Sequence, residues 1–289
     1  MSAFPLALLS LDGVGRVTAW RLLEHFGTAE AVRRAPREQA RLRLKGVAHA
    51  DRTLDAIAAP AFDQALARAQ ARVDALAAKS IAVVTPGSPG WPAGLMDLDR
   101  SDRPIALYAF GDLTALGWPA LAVLAGAPLD AGPFEQVQAV ARQAMAHGRG
   151  IVVGAATGVD LALQKLSLAA ELPAVAVVGA GLARLAPPMR PGATALVRAG
   201  GLLVSPFDMT HGPFEHDERE RALVQAALGR AVCVAAPASG SPEDRATAWG
   251  ASAGRPIALI PPAPPQAEWA GAALTVDAAH PEAVAGLVS

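Results

Sequence analysis

Residues 152–160 read VVGAATGVD. Two valines run into Gly154, and Gly158 follows four residues later. An apolar run that ends in a glycine loop and opens a helix is the strand–loop–helix step of a parallel α/β sheet. Loops of this kind commonly offer backbone amides to phosphate. This one contains no lysine or arginine and closes on Asp160. Any positive charge for a bound phosphate must therefore come from elsewhere in the chain.

Working outward from this loop, the chain alternates. The apolar runs LAVLAG (121–126), GIVVGA (150–155), AVAVVGA (174–180), GLLVS (201–205), AVCVAA (231–236) and PIALI (256–260) read as strands. They are continuously apolar, as strands covered on both faces should be. Between the first two lies EQVQAVARQAMAH, which places Val137, Val140, Ala141, Ala144 and Met145 on one helical face. A further helix is expected after Asp160. Strand, helix, strand at this spacing predicts right-handed crossovers and a doubly wound, parallel, Rossmann-like sheet. Ligands of such sheets sit beyond the carboxyl ends of the strands, which here gathers loops 126–133, 154–160, 179–190 and 237–245. The segment RERALVQAALG reads as a helix opened by the acidic residues before it, and the tail offers one more strand and a short helix.

The N-terminal part is organised differently. Residues 5–55 read as short helices, with Leu11, Val14 and Val17 ahead of an amphipathic helix holding Trp20, Leu22, Leu23 and Phe26. The turn Gly13-Val14-Gly15 matches a helix-hairpin-helix, in which glycine amides and the next helix N-terminus face a phosphate. A second hairpin is suggested at Leu44-Lys45-Gly46-Val47. The alternative is a small helical domain whose glycines serve only tight turns. Residues 60–79 form an alanine-rich helix, and 83–113 are extended and punctuated by proline. The domain reading is a helical, helix-hairpin-helix or SAM-like domain at 1–58, a connecting helix and extended segment at 59–119, and the Rossmann-like domain at 120–289.

Composition narrows the function classes. The 289 residues are 52% apolar and 18% charged, with one cysteine and a net charge of −1. No apolar run is long enough to span a bilayer, and MSAFPLALLS lacks the basic start of a secretory signal, so a cytoplasmic protein is expected. Cys233, alone and inside AVCVAA, reads as a core residue. Residues 1–55 hold nine Arg/Lys against six Asp/Glu, +3, while the remainder holds sixteen against twenty, −4. Electrostatic attraction to nucleic acid is therefore expected at the N-terminal end.

Several chemistries find no support. Gly154 to Gly158 is one residue short of a nucleotide P-loop and lacks its Lys-Ser/Thr pair. VVGAGLARLAPP begins like a dinucleotide fingerprint, but Arg184 replaces the third glycine and Pro187 and Pro188 stop the helix. Ser205 follows a strand without a nucleophile elbow. His211, His216, Asp217 and Glu218 match no metal-ligand spacing and read better as a helix start. Asp160 reads either as a general base or as an acceptor for the loop's own amides. Neither cofactor nor metal is expected.

The ordered motifs resemble the DNA-processing protein A (DprA, or Smf) family over about residues 5–262. An aromatic-Pro pair and spaced leucines lead to a Pro-x-x-Leu-Tyr-x-x-Gly step. They appear as Trp91-Pro92, Leu95, Leu98, Pro104, Leu107-Tyr108 and Gly111. The family's S-G-x-A-x-G-I-D loop corresponds to Val153 through Asp160, and AVVGAGL with Pro187 fits the next strand and loop. Ser205, followed by Pro206 in place of glutamate, Ser239-Gly240 and Gly254-Arg255 match later steps. The resemblance implies a non-enzymatic, homodimeric protein that binds single-stranded DNA and loads a RecA-type recombinase during DNA uptake, without cofactor. It also implies DNA or phosphate contacts from Gly154, Ala156, Thr157, Gly158, Asp160, Arg219, Arg221, Ser239 and Gly240, shared with the hairpin glycines Gly13 and Gly15.

Departures from the pattern centre on charge. The Gly-Ser/Thr-Arg expected after the first sheet strand reads Gly126-Ala127-Pro128 or Ala125-Gly126-Ala127, without arginine in either register, the loop serine is Val153, and a histidine is replaced by Gln164. The F-P-x-R-N-R step reads Phe214-Glu215-His216-Asp217-Glu218-Arg219. The expectation is a weakened DNA groove, which Arg219, Arg221, Arg245 and Lys165 would support if they line it. Two other classes stay open: a protein-interaction paralogue that has lost DNA binding, and a protein that binds a nucleotide derivative in the 154–160 pocket.

Overall fold

The structure is a computed structural model, which describes residues 3–126, 128–155 and 158–260 and the backbone of 273–275. The chain folds into two compact units. One comprises 1–91 with 99–107, the other 92–98 with 108–289. The division runs through the stretch 59–119 that the sequence reading set apart as a connection, so the alanine-rich helix belongs to the helical unit.

In the helical unit, α1 (Ala3–Leu9), α2 (Arg16–Phe26), α3 (Ala29–Arg34), α4 (Arg37–Arg43), α5 (Ala50–Ala58) and α6 (Ala61–Ala77) are followed by β1 (Ile81–Val84). All these helices but α6 are too short to be stable alone, and packing of their apolar stripes holds them. Their core gathers Phe4, Leu8, Trp20, Leu22, Ile57 and Phe62. Thr28 caps α3 by accepting from the Ala31 amide at 3.1 Å. Glu24 binds Arg100 and Arg103 at 2.6 and 2.8 Å. Burial tends to push its carboxyl pKa up, but the two guanidiniums outweigh this and hold it below the usual value.

The second unit is built on β2 (Leu107–Gly111), β3 (Ala120–Leu124), β4 (Gly150–Gly154), β5 (Ala174–Val177), β6 (Leu202–Ser205), β7 (Ala231–Ala235), β8 (Ile257–Ile260) and β9 (Ala273–Thr275). Within it the sheet order is β2-β6-β5-β4-β3-β7-β8-β9. All neighbours are parallel except β2, which runs antiparallel to β6 with Tyr108 opposite Ser205. The fold is thus α/β, with the doubly wound Rossmann-like sheet that the apolar runs predict and one antiparallel strand, β2, added. Most of the tail lies outside the described residues, as does the short helix expected there.

Helices α7 (Ala131–Ala146), α8 (Gly158–Ala169), α9 (Arg190–Arg198), α10 (Asp217–Leu228) and α11 (Pro242–Ser252) complete the unit. Leu121, Val123, Ile151, Val153 and Ala176 pack with Val137, Leu163 and Leu196 of α7, α8 and α9. The intervening strand residues face the other way, where α10 packs on β3 and β4. Each fully buried Val or Leu in this double cover contributes about 1.5–3 kcal/mol. Helix α8 starts at Gly158, ahead of the expected start after Asp160, so Asp160 falls in its first turn. No helix among the described residues is long and apolar enough to cross a membrane.

Cys233 lies in the middle of β7 and is fully buried, which pushes its thiol pKa up to about 12. Thiolate is the reactive form. Iodoacetamide at pH 8 is therefore expected to leave the folded chain unmodified and to label it fully in denaturant. Rapid labelling without denaturant would mean that β7 opens.

Candidate functional site

The order β6-β5-β4-β3 runs one way from β3, and β7-β8-β9 runs the other. The chain therefore reverses direction between β3 and β7, and the crevice at such a reversal is where doubly wound sheets usually hold ligands. Its walls are the loop after β3, with Gly126, and the turn 236–241 leading into α11. Ser239 and Gly240 lie exposed on that turn. Gly240 has φ +75°, and its amide donates to Asp244 Oδ2 at 2.8 Å. Ser241 caps α11 by accepting from the Asp244 amide at 3.2 Å.

The crevice is filled from within. Glu243, 5% exposed at the start of α11, places its carboxylate where a side chain on Gly126 would stand. Its Oε1 accepts from Arg221 Nη2 at 3.1 Å. Arg221 is 6% exposed and uses its other nitrogens on Glu218 Oε2, at 2.6 Å, and on Gln225 Oε1. Gln225 then donates to the Val123 carbonyl at 2.6 Å, at the end of β3. The buried guanidinium is thus paired with three side chains.

The glycine loop joins the same network. A Cβ on Gly154 would lie 2.5 Å from Asp160 Oδ2 and 2.9 Å from Arg221 Nη1, so any side chain there would displace both groups. The Gly154 amide donates to Asp160 Oδ1 at 3.0 Å, and Gln164 Nε2 donates to the Gly154 carbonyl at 3.1 Å. Asp160 thus takes the amide that a phosphate would otherwise use. Around one guanidinium stand three carboxylates, those of Asp160, Glu218 and Glu243, so the crevice is formally acidic. Gly158 begins α8, while Ala156 and Thr157 lie outside the described residues.

A second feature stands beside this network, beyond the ends of β5 and β6. Phe207, His211, Phe214 and His216 form a column of rings. Phe207 stacks on His211 with centroids 4.8 Å apart, Phe214 meets His211 edge-on at 5.2 Å, and His216 stacks on Phe214 at 5.5 Å. Buried Asp217 anchors the column. It lies 3.0 Å from His211 Nε2 and 3.4 Å from His216 Nε2, and it accepts from the Phe214 amide at 2.9 Å. The loop carrying the column pairs with the loop after β5 through Gly181 N to the His211 carbonyl, 2.9 Å. Phe214 is 53% exposed. Arg184 and Arg219 are exposed, Arg184 in the paired loop and Arg219 in the first turn of α10. Arg245 and Lys165 are exposed on α11 and α8. Ser205 is buried, donating to the Ala180 carbonyl at 2.7 Å and accepting from the Phe207 amide at 3.0 Å, so its hydroxyl is structural.

The sequence-derived residues therefore divide. Gly154, Asp160 and Arg221 converge on the crevice and are occupied with one another. Arg219, Ser239 and Gly240 are at the surface. Gly13 and Gly15 belong to the helical unit, in the turn between α1 and α2. Glu243 was missed because nothing in its local sequence marks it as a partner of Arg221. The ring column was missed because His211 and His216 read as part of a helix start, although Phe207, His211, Phe214 and His216 fall within ten residues.

The model of the family DNA recombination-mediator protein A matches residues 82–284. By that match, which spans most of the chain, the protein belongs to this family. No curated protein sequence matches it. The crystal structure of DNA processing protein A from Streptococcus pneumoniae superposes with a TM-score of 0.58 and 19% identity, covering 86% of this chain and 88% of that one. DNA processing protein A from Helicobacter pylori, studied for its single-stranded DNA binding mode, gives 0.52 and 19%, covering 63% and 81%. At that identity these likenesses establish the fold.

Proposed function

We propose that this member of the recombination-mediator family binds single-stranded DNA mainly by stacking bases on the Phe214–His216 end of the ring column. The observation that carries the reading is the half-exposed Phe214 ring, held in register at the carboxyl ends of the sheet strands. Every base has a π face, so an aromatic platform of this kind accepts strands without sequence preference. Exposed Arg184 and Arg219 supply charge for the backbone near it, while the crevice itself is closed to phosphate by Glu243, Glu218 and Asp160. The protein acts by binding rather than catalysis, in the cytoplasm. A RecA-type recombinase as the recipient of the strand and a homodimer as the working unit are carried over from the family resemblance.

Stacking on an aromatic side chain is worth about 1–3 kcal/mol per base. Phe214→Ala is therefore expected to weaken binding of a labelled single-stranded oligonucleotide roughly fivefold to a hundredfold in fluorescence anisotropy. Phe214→Tyr should keep most of the affinity. Equal affinity for all three proteins would remove the platform from the function.

The acidic crevice favours a second reading, a family member whose sheet domain binds a protein in place of DNA. The same titration decides between them. Unaltered protein that fails to bind single strands even at low salt, where phosphate contacts are strongest, supports this second reading.

A further inference from the structure

The helical unit contains its hairpin turn twice. Leu11-Asp12-Gly13-Val14 joins α1 to α2, and Leu44-Lys45-Gly46-Val47 lies between α4 and α5, 33 residues later. The two turns are alike in backbone. Val14 N donates to the Leu11 carbonyl at 3.2 Å, and Val47 N to the Leu44 carbonyl at 2.9 Å. Gly13 and Gly46 have φ of +76° and +81°, and a Cβ on either would meet nothing within 4 Å. Positive φ explains the glycines, and the open space beside them leaves both turns accessible.

Charge separates the copies. Residues 4–19 contain one arginine and one aspartate and are neutral. The equivalent residues 37–52 contain five Arg/Lys against two Asp/Glu, +3, in a chain whose total is −1. The difference is concentrated at the second turn, where Lys45 stands at the position of Asp12. A groove of about 670 Å³ opens there, with Arg41, Lys45, His49 and Arg52 in its lining. Glu38 and Asp51 also line it, but Asp51 is engaged by Arg37 and Arg41, both at 3.4 Å. Arg52 reaches across to Asp12 of the first turn at 2.7 Å. Lys45, His49 and neighbouring Arg43 are exposed and meet no carboxylate among the described residues.

We infer that this second turn, rather than Gly13-Val14-Gly15, is a binding site for the phosphodiester backbone of DNA. The excess cations carry the assignment, and the accessible turn lets a backbone approach them closely. The site lies in a different unit from the ring column. It rests on the family reading only for the class of ligand, and it does not require the column to bind.

The test uses the full chain and two labelled 20-mers, one single-stranded and one duplex, titrated by anisotropy between about 50 and 200 mM salt. Arg43→Ala with Lys45→Glu removes two unpaired surface cations and should leave the circular dichroism spectrum and melting temperature unchanged. It is expected to weaken binding at least tenfold at the lower salt and to reduce the salt slope by about two units. Loss for the duplex alone assigns the site to duplex backbone, loss for the single strand alone to single strands, and loss for both to either. The inference is overturned if both probes bind the variant as they bind the unaltered chain, or if the variant loses only a poly-glutamate peptide, which would mark an acidic protein as the ligand. Phe214→Ala, measured alongside, separates the two sites. A loss in the charge variant with none in Phe214→Ala removes the ring column and keeps this groove, and the reverse pattern does the opposite. Failure of the unaltered chain to bind either probe removes both.

Discussion

Arg221→Ala is expected to cost about 3–5 kcal/mol of folding stability. For a unit of this size that corresponds to a fall of roughly 6–20 °C in melting temperature. The side chain bonds Glu218, Gln225 and Glu243 and is almost completely buried. Its removal leaves the Glu243 carboxylate, itself buried, facing Gly126 with no countercharge. Glu218 suffers less, since its side chain is 40% exposed and water replaces the lost partner. The penalty is therefore mostly that of stranding Glu243. For the same reason Arg221→Met with Glu243→Leu should recover much of the loss, because apolar groups of similar volume need no partner in a dry crevice. Thermal melts of Arg221→Met, Glu243→Leu and the double variant give the coupling energy directly. A single Arg221→Ala variant melting within about 2 °C of the parent, about 0.5–1 kcal/mol for a unit of this size, would show that Glu243 is hydrated and that the crevice is open.

This network also explains why a phosphate loop without a cation persists. Gly154 is needed because Asp160 and Arg221 occupy the space a Cβ would take, and Asp160 is needed because it satisfies the Gly154 amide. Both residues now have structural reasons to be there, whatever binds nearby. In a crevice where three carboxylates surround one guanidinium, an incoming phosphate meets like charge at short range. DNA binding is therefore expected at places where the surface is basic or aromatic, namely the ring column and the second hairpin turn.

The strands were legible because burial on both faces demands continuous apolar runs, and Leu121 to Leu124 or Ala231 to Ala235 satisfy that without ambiguity. Helix α9 was not legible: Pro187 and Pro188 read as a stop, and Pro191 follows inside the helix itself. Yet a proline in the first turn costs a helix nothing, since the missing amide would have been unpaired there. The antiparallel strand β2 was hidden because pairing partners lie nearly a hundred residues apart, Tyr108 against Ser205. At the site, residue types were legible and occupancy was not. Arg221 looked available for DNA because its two acidic partners come from different stretches, Glu218 one turn before it and Glu243 at the start of the next helix.

In the helical unit, Trp20→Ala is expected to lose about 3–5 kcal/mol, enough to leave so small a core largely unfolded. The indole is 1% exposed, and it is the largest side chain in a core otherwise built of leucine, isoleucine, valine, alanine and two phenylalanines. It also does more than fill volume. Its Nε1 donates to the Arg103 carbonyl at 3.0 Å, and the Arg103 guanidinium lies 4.6 Å from the ring centroid. That guanidinium in turn holds Glu24 at 2.8 Å. Truncation to alanine therefore opens a cavity, orphans a buried carbonyl and frees a cation from its aromatic face at once. Trp20→Phe keeps most of the volume and a ring for Arg103, and should cost about 1–2 kcal/mol, chiefly the lost hydrogen bond. Because the chain has two units, a single melting curve does not isolate the effect. Amide hydrogen exchange does: Trp20→Ala should abolish protection in α2 and α6 while leaving β3, β4 and β7 as protected as before. Unchanged protection of α2 would show that its neighbours close over the gap. Glu24 adds a pH dependence of definite sign. Its pKa is depressed in the folded state, so its contribution is present above the ordinary carboxylate range and is lost as pH falls through the lowered value. In Trp20→Ala, where Arg103 loses its ring and the unit opens, that acid-side loss should shrink with it.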